Sequence, residues 1–263
     1  NQDDSDFCMS GQLNDKVYIV TGGSQGFGLA IAKCLVDKGA KVGLLSRSKA
    51  GLDKAISEIG SDHACAISAD VTRKSELVAG FEKVKSHFGR LDGLVNNAGM
   101  ARPNRIENLV EDEVLMQVNT NYLGTVFSSQ AAIPLLRGGE NPRIVNISSA
   151  SAYHYDEMSH LSIYASTKAA VERFTRDLAS ELQVDEIGVT CIRPGGAGTS
   201  FADAWDSDAL MAGIEAWRDS GTYMNVGMET EQVGEAVAFA LSQPAGVAID
   251  LLELRPKRLM KKV

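Results

Sequence analysis

The stretch "KVYIVTGGSQGFGLAIAKCLV", residues 16–36, decides the architecture. After Lys16 its first residues are apolar and read as a buried strand, whereas Phe27, Ala30, Ile31, Cys34 and Leu35 keep helical spacing. Between the two lies "TGGSQGFG", residues 21–28, in which Gly22, Gly26 and Gly28 form a G-x-x-x-G-x-G pattern. Glycines at a strand-to-helix turn let the backbone approach a pyrophosphate, and the helix N-terminus offers free N–H groups and positive partial charge. In this context the motif reads as a nucleotide cradle; a tight structural turn is the plainer alternative.

The same alternation continues outward. Short apolar runs recur at "KVGLL" (41–45), "ACAISA" (64–69), "LDGLV" (91–95), "RIVNI" (143–147), "GVTCI" (188–192) and "VAIDLLEL" (247–254). Helical patterns separate them, marked for example by Leu77, Phe81, Val84 and Phe88; one long helical stretch ends near Pro134 to Gly139, and a last helix covers about 231–242. Strands apolar along their length, alternating with helices, predict a parallel sheet covered on both faces. One doubly wound α/β domain over residues 11–263 is expected, without linker or repeat. Residues 195–226 break the rhythm with clustered glycines, then Trp205, Met211, Trp217, Tyr223 and Met224, and read as an irregular substrate lid.

Composition narrows the classes. The chain has 263 residues, 44% of them hydrophobic, and a formal charge of −8. That balance offers no general attraction to nucleic acid or to an anionic membrane. The basic end "RPKRLMKKV" reads as a solvated or subunit-contacting tail. No run approaches the roughly 20 apolar residues of a membrane span. Cys8, Cys34, Cys65 and Cys191 are scattered without metal-ligand spacing, and the last three sit in apolar runs. Free thiols, a reducing cytoplasm and no metal are expected. Residues 1–10 are expected to be a flexible tail or a vector-derived remnant, Met9 being a candidate start.

Two further patterns bear on chemistry. In "SIYASTKAA", residues 162–170, Tyr164 and Lys168 stand four apart on one helix face with little bulk between them. A lysine ammonium beside a phenol favours the phenolate, so a lowered Tyr164 pKa is expected, making an acid/base usable near neutral pH. At the end of the second strand "LLSRS" puts Ser46 where an acidic residue would bond a ribose 2′-hydroxyl, with Arg47 next. Arg47, Ser46 and Ser48 suit a 2′-phosphate, so NADP(H) is favoured over NAD(H). Against it, Gln25 stands before Gly26 where a second cation would help, and Arg47 can equally be a solvated loop residue.

Three more segments line up behind the expected strands: "NNAG" (96–99), "NISS" (146–149) and "RPGGAGT" (193–199). Together with "TGGSQGFG" and "YASTK" they resemble the short-chain dehydrogenase/reductase family in its single-domain form, over residues 11–256. The resemblance implies a Rossmann-type three-layer αβα sheet of about seven parallel strands, often assembled as a homotetramer or dimer. It implies Tyr164 as catalytic acid/base, Lys168 on the nicotinamide ribose, and an asparagine holding a water in a proton relay. Asn121-x-x-Gly124 fits that asparagine better than Asn119.

The substrate-orienting serine has two candidates: Ser149 by its place in "NISS", and Ser151 by its spacing of 13 residues before Tyr164. The resemblance also implies cofactor contacts. Gly22, Ser24, Gly26, Phe27 and Gly28 would hold the pyrophosphate, and Asp70 with Val71 would flank the adenine. Asn97, Ala98 and Gly99 would lie along the ribose and nicotinamide, with Pro194, Gly195 and Thr199 facing the nicotinamide.

The implied activity is hydride transfer between NADP(H) and a carbonyl or secondary alcohol, in the reductive direction, as in a ketoreductase. An NAD-dependent alcohol dehydrogenase is the alternative within enzymology, and a silent nucleotide-binding sensor the alternative outside it. His154, Tyr155, Met158 and His160, with the aromatic and Met residues of 200–224, are expected to shape the pocket. Ser149, Ser151, Tyr155, Tyr164 and Trp205 are the substrate contacts expected first. A medium-sized apolar ketone suits such walls.

Overall fold

The apolar runs become seven parallel strands: β1 Val17–Thr21, β2 Lys41–Ser46, β3 Ala64–Ser68, β4 Gly93–Asn96, β5 Arg143–Ile147, β6 Gly188–Pro194 and β7 Leu251–Leu254. Their order across the sheet is β3-β2-β1-β4-β5-β6-β7. The computed structural model describes residues 13–154, 159–197, 200–203, 205–220 and 227–257. The expected Tyr155 and Thr199 contacts, Met158, Tyr223, Met224 and Cys8 lie outside these residues.

The helices are α1 Gly26–Asp37, α2 Lys49–Ile59, α3 Lys74–Phe88 and α4 Glu111–Gln117. They continue with α5 Gly124–Leu136, α6 Ser162–Glu181, α7 Ser207–Ser220 and α8 Thr230–Leu241. Strand alternation feeds two cores. Val17 and Ile19 of β1 pack with Phe81, Val84 and Leu178, from α3 and α6. Tyr18 and Val20 pack on the other face with Ile31, Leu52 and Val237, from α1, α2 and α8. Phe81 is fully buried; its truncation to Ala would cost about 3–5 kcal/mol. Among the described residues no helix is long and apolar enough to cross a membrane.

The chain leaves β1 toward β2 on one side, and β4 pairs with β1 on the other. This reversal opens a crevice at the carboxyl ends of the strands, the place where doubly wound sheets bind ligands.

Several sequence expectations need correction. The last strand is only Leu251–Leu254, not 247–254, because the Val247 carbonyl is taken by the buried Arg143 guanidinium at 2.9 Å. The segment 195–226 is not irregular throughout, since the 14 residues of α7 form a helix within it. The helix α5 ends at Leu136, within the expected Pro134 to Gly139. Between α4 and α5 the path passes through a π-turn, Val118–Leu123, a local widening frequently found at functional sites. Cys34 and Cys191 are buried free thiols, but Cys65 is only half-buried.

Candidate active site

A cleft of about 440 Å³ opens at the carboxyl ends of β1, β4, β5 and β6. Its floor is the glycine turn. Gly22 and Gly26 hold φ of +65° and +52°, a region that glycine enters without penalty. A Cβ on Gly28 would overlap the Gly22 carbonyl and come within 2.6 Å of Asn97 Nδ2. Gly28 therefore serves the packing of turn against α1 and does not itself line the cleft, unlike Gly22, Ser24, Gly26 and Phe27.

Thr21 ties this turn to the next segment, its Oγ1 accepting from the Asn97 and Ala98 N–H groups at 3.0 Å each. The first turn of α1 has no acidic residue, and its N-cap Gln25 makes no side-chain cap bond. Its N–H groups remain available to an anion. By contrast, the Ser48 hydroxyl already caps α2, accepting from the Gly51 N–H at 3.0 Å. A pyrophosphate fits the open turn, not the capped one.

At one end of the cleft stand Ser46, Arg47, Asp70 and Val71. The Ser24 hydroxyl donates to the Ser46 hydroxyl at 3.0 Å. Arg47 is 73% exposed, its Nη1 4.0 Å from Asp70 Oδ2. Asp70 is oriented by Thr72, whose N–H and hydroxyl donate to Oδ1 at 2.9 and 2.8 Å.

The other end gathers Tyr164, Lys168 and Ser149, with Asn97, Ala98, Gly99, Pro194 and Gly195 along the way. Lys168 is buried; its Nζ donates to the Ile147 carbonyl at 2.8 Å, its one hydrogen bond among the described residues. An ammonium carries three donors. Two therefore remain for a ligand's hydroxyls, and the residues present fit the ribose of a nicotinamide dinucleotide. Gly99 makes the approach possible, since a Cβ there would stand 3.3 Å from Nζ.

Burial pushes the Lys168 ammonium down to about 8. Burial likewise pushes the Tyr164 phenol up to about 12, a hydrogen bond with Ser149 offsetting part of the rise. The expected lowering of the Tyr164 pKa is thus reversed. Desolvation outweighs the neighbouring ammonium, whose Nζ lies 5.8 Å from the ring centre.

The two candidate serines occupy different places. Ser149 lines the cleft beside Tyr164. Ser151 is buried behind it, its hydroxyl donating to the Ser149 hydroxyl at 3.0 Å. Asn121 is fully buried within the π-turn and does not line the cleft. Its Oδ1 accepts from the Met100 N–H at 2.8 Å, and its Nδ2 donates to the Met100 carbonyl and the Thr167 hydroxyl at 2.9 and 3.0 Å. It latches the loop after β4 onto α6.

An aromatic wall completes the site. The Tyr164 ring meets Phe201 at 5.4 Å between centres, Phe201 meets Trp205 at 5.7 Å, and Trp205 meets Trp217 at 6.3 Å. Trp217 is buried, its Nε1 donating to the Ser159 carbonyl at 2.7 Å. Phe201 is one of the aromatic residues of 200–224 expected to shape the pocket, whereas Leu161, Leu210 and Ile214 line the cleft without having been expected from the sequence. His154 and His160 do not line it: His154 Nε2 pairs with Glu253 at 2.8 Å, and His160 Nδ1 meets Ser159 Oγ at 3.3 Å.

The doubly wound sheet with its glycine turn and crevice places the chain among the Rossmann-type oxidoreductases. Residues 16–210 match the family model described as short chain dehydrogenase, and the chain belongs to that family. An uncharacterized oxidoreductase of Staphylococcus aureus strain USA300 is 32% identical over 244 residues, spanning 93% of this chain and 98% of its own. Among solved structures, a 3-ketoacyl-(acyl-carrier-protein) reductase from Brucella melitensis complexed with NADH has 30% identity and a TM-score of 0.81. It covers 94% of this chain and 99% of its own. A serine dehydrogenase complexed with NADP+ has 26% identity and a TM-score of 0.80, with 91% and 94% covered.

Proposed function

We propose that the chain is an NADP(H)-dependent carbonyl reductase in which Tyr164 delivers the proton to the forming alkoxide. The observation that carries this reading is the geometry of Tyr164, buried at the cleft wall beside Ser149 and one helical turn from Lys168. The phenol holds its proton at neutral pH and can pass it to an alkoxide, a stronger base than the phenolate, that forms against Ser149.

The nicotinamide, when bound, supplies the hydride. The protein's part is placement and charge. Ser149 hydrogen-bonds the substrate carbonyl oxygen, whose growing negative charge that bond stabilises. Tyr164 gives its proton to the same oxygen. Lys168 directs its two open donors to the ribose hydroxyls, and its positive charge offsets the phenolate left behind. Asn121, expected to hold a water of a proton relay, instead has a positioning role, its amide tying the Met100 loop to α6.

Arg47 and Ser46 support a 2′-phosphate: the guanidinium is exposed at the cleft end and its fork matches two phosphate oxygens. Asp70, 4.0 Å from Arg47, favours a second reading in which the enzyme uses NAD(H); the Brucella relative's complex is with NADH. The aromatic and aliphatic wall suits a medium-sized apolar ketone such as a polyketide-like, terpenoid, steroid or aryl carbonyl. Exposed Ile106, Val110 and Leu115 support assembly as a homo-oligomer.

The deciding experiment follows cofactor oxidation by the purified protein with NADPH and with NADH across a panel of ketones and aldehydes. NADPH-dependent turnover that disappears in Tyr164→Phe supports the reading. Equal turnover with NADH would transfer it to the NAD-dependent alternative.

A further inference from the structure

One ion pair, which the chemistry above leaves unused, joins the segments that carry it. Glu172 lies one turn beyond Lys168 on α6, and Arg193 directly precedes Pro194 and Gly195 at the end of β6. Their contact is bidentate: Arg193 Nε donates to Glu172 Oε1 at 2.8 Å, and Nη2 to Oε2 at 2.7 Å. Ser148, the residue before Ser149, donates its hydroxyl to the same Oε1 at 2.7 Å. It also makes a longer contact of 3.4 Å with the Lys168 carbonyl.

On its far side Arg193 Nη1 pairs with Glu253 of β7. The neighbouring Leu254 carbonyl accepts from the Gly195 N–H at 2.7 Å. The Tyr153 ring covers the guanidinium, its centre 4.7 Å from Cζ. The Arg193 side chain is only 6% exposed, and its hydrogen bonds to the Glu172 carboxylate lead the interactions that hold its charge.

As a device for stability this pair is a poor choice. Burying two charges costs about as much as their attraction returns, and well-packed apolar residues of similar volume often hold two elements together equally well. What apolar residues do not supply is direction. A planar fork meeting a carboxylate fixes separation and rotation together. Here the fork links α6, which bears Tyr164 and Lys168, to the strand end bearing Ser149 and the loop bearing Pro194 and Gly195.

We propose that Glu172 and Arg193 are positioning residues whose ion pair sets the Tyr164–Lys168 helix, Ser149 and the Pro194–Gly195 loop in one register around the nicotinamide half of the cofactor. This deepens the reductase reading and rests on it for the identity of the aligned groups. Misplacement by about 1 Å in such a constellation can cost on the order of 10²-fold in rate.

The test compares the full-length wild type with Glu172→Leu, Arg193→Met and the double variant. Glu172→Leu leaves Arg193 with Glu253 alone and Arg193→Met leaves Glu172 without its cation, so each should lower the unfolding temperature, whereas the double change removes both charges of the pair, leaves Glu253 to His154, and should restore most of it. Dissociation constants are then measured for the reduced dinucleotide that the wild type binds, NADPH or NADH, and for ADP, which reports the adenine half alone. We expect the double variant to bind ADP as the wild type does, to bind the dinucleotide about tenfold more weakly, and to lose at least about tenfold in kcat.

A double variant with restored unfolding temperature and an unchanged dinucleotide-to-ADP affinity ratio would overturn the proposal, as would equal losses for both ligands. If the double variant does not fold, the isosteric Glu172→Gln is judged on the same ratio. A wild type that binds the dinucleotide but reduces no ketone would count against the reductase reading, and the affinity ratio would still judge the ion pair.

Discussion

Lys168 Nζ stands 5.8 Å from the centre of the Tyr164 ring and donates to the Ile147 carbonyl at 2.8 Å. The two side chains share one buried space, and burial moves them in opposite directions: the phenol up to about 12, the ammonium down to about 8. Near pH 7 Tyr164 thus keeps its proton while Lys168 is still an ammonium, the pairing from which the proposed proton donation starts.

Removing the Tyr164 hydroxyl should separate chemistry from binding. Tyr164→Phe keeps the ring against Phe201 but has no proton to give. We expect kcat to fall by about 10²–10⁴-fold, with cofactor affinity in fluorescence titration within about twofold of wild type. A variant retaining a tenth of the activity would remove Tyr164 from the proposed role.

The buried charge on Lys168 should appear in stability against pH. Its folded value, about 8, lies below the ordinary 10.5. The cost of burying the charge is full below pH 8 and fades as pH rises to 10.5, because the unfolded state then binds the extra proton. Lys168→Met removes that cost at every pH. Its unfolding temperature should exceed that of wild type near pH 7, with the gap narrowing from pH 8 to 10; a gap that widens with pH would contradict the assignment.

The two serines should differ in size of effect. Ser149→Ala takes away the hydroxyl beside Tyr164 and should lower kcat about 10²-fold. Ser151→Ala removes only a donor to Ser149 Oγ, 3.0 Å away, a loss of about 1 kcal/mol or severalfold. Steady-state kinetics on both variants checks the order, and the reverse order would make Ser151 the orienting residue.

Cofactor choice should respond to Arg47 alone. Arg47→Gln removes a charge-assisted contact to a 2′-phosphate, typically about 1.5–3 kcal/mol, and so should weaken NADPH by about ten- to a hundredfold. NADH affinity should stay unchanged. Equal effects on both cofactors would place Arg47 elsewhere in the adenosine site.

The sheet was legible because strands buried on both faces are apolar along their whole length, and glycines at a turn announce a backbone conformation. That pattern located β1, β2 and β5 within a residue or so. It overextended β7, since Arg143, 104 residues away in sequence, captures the Val247 carbonyl. It also missed α7, although Leu210, Ile214 and Trp217 keep helical spacing there, Trp217 packing on Leu161 and Tyr164. The direction of the Tyr164 shift was misjudged because spacing on a helix shows the neighbouring ammonium, and burial depth becomes visible only when the walls are in place.

Local chemistry thus determined what can be written into a few consecutive residues: the strand–turn–helix alternation, the glycine cradle, and the Tyr164–Lys168 pair on one helix face. Tertiary structure alone decided which serine faces the phenol, which aromatic rings form the wall, and that Glu172 and Arg193 tie three segments together. These depend on side chains brought together from distant strands and helices, where desolvation and hydrogen-bond geometry are set by the closed fold and leave no periodic trace in the chain.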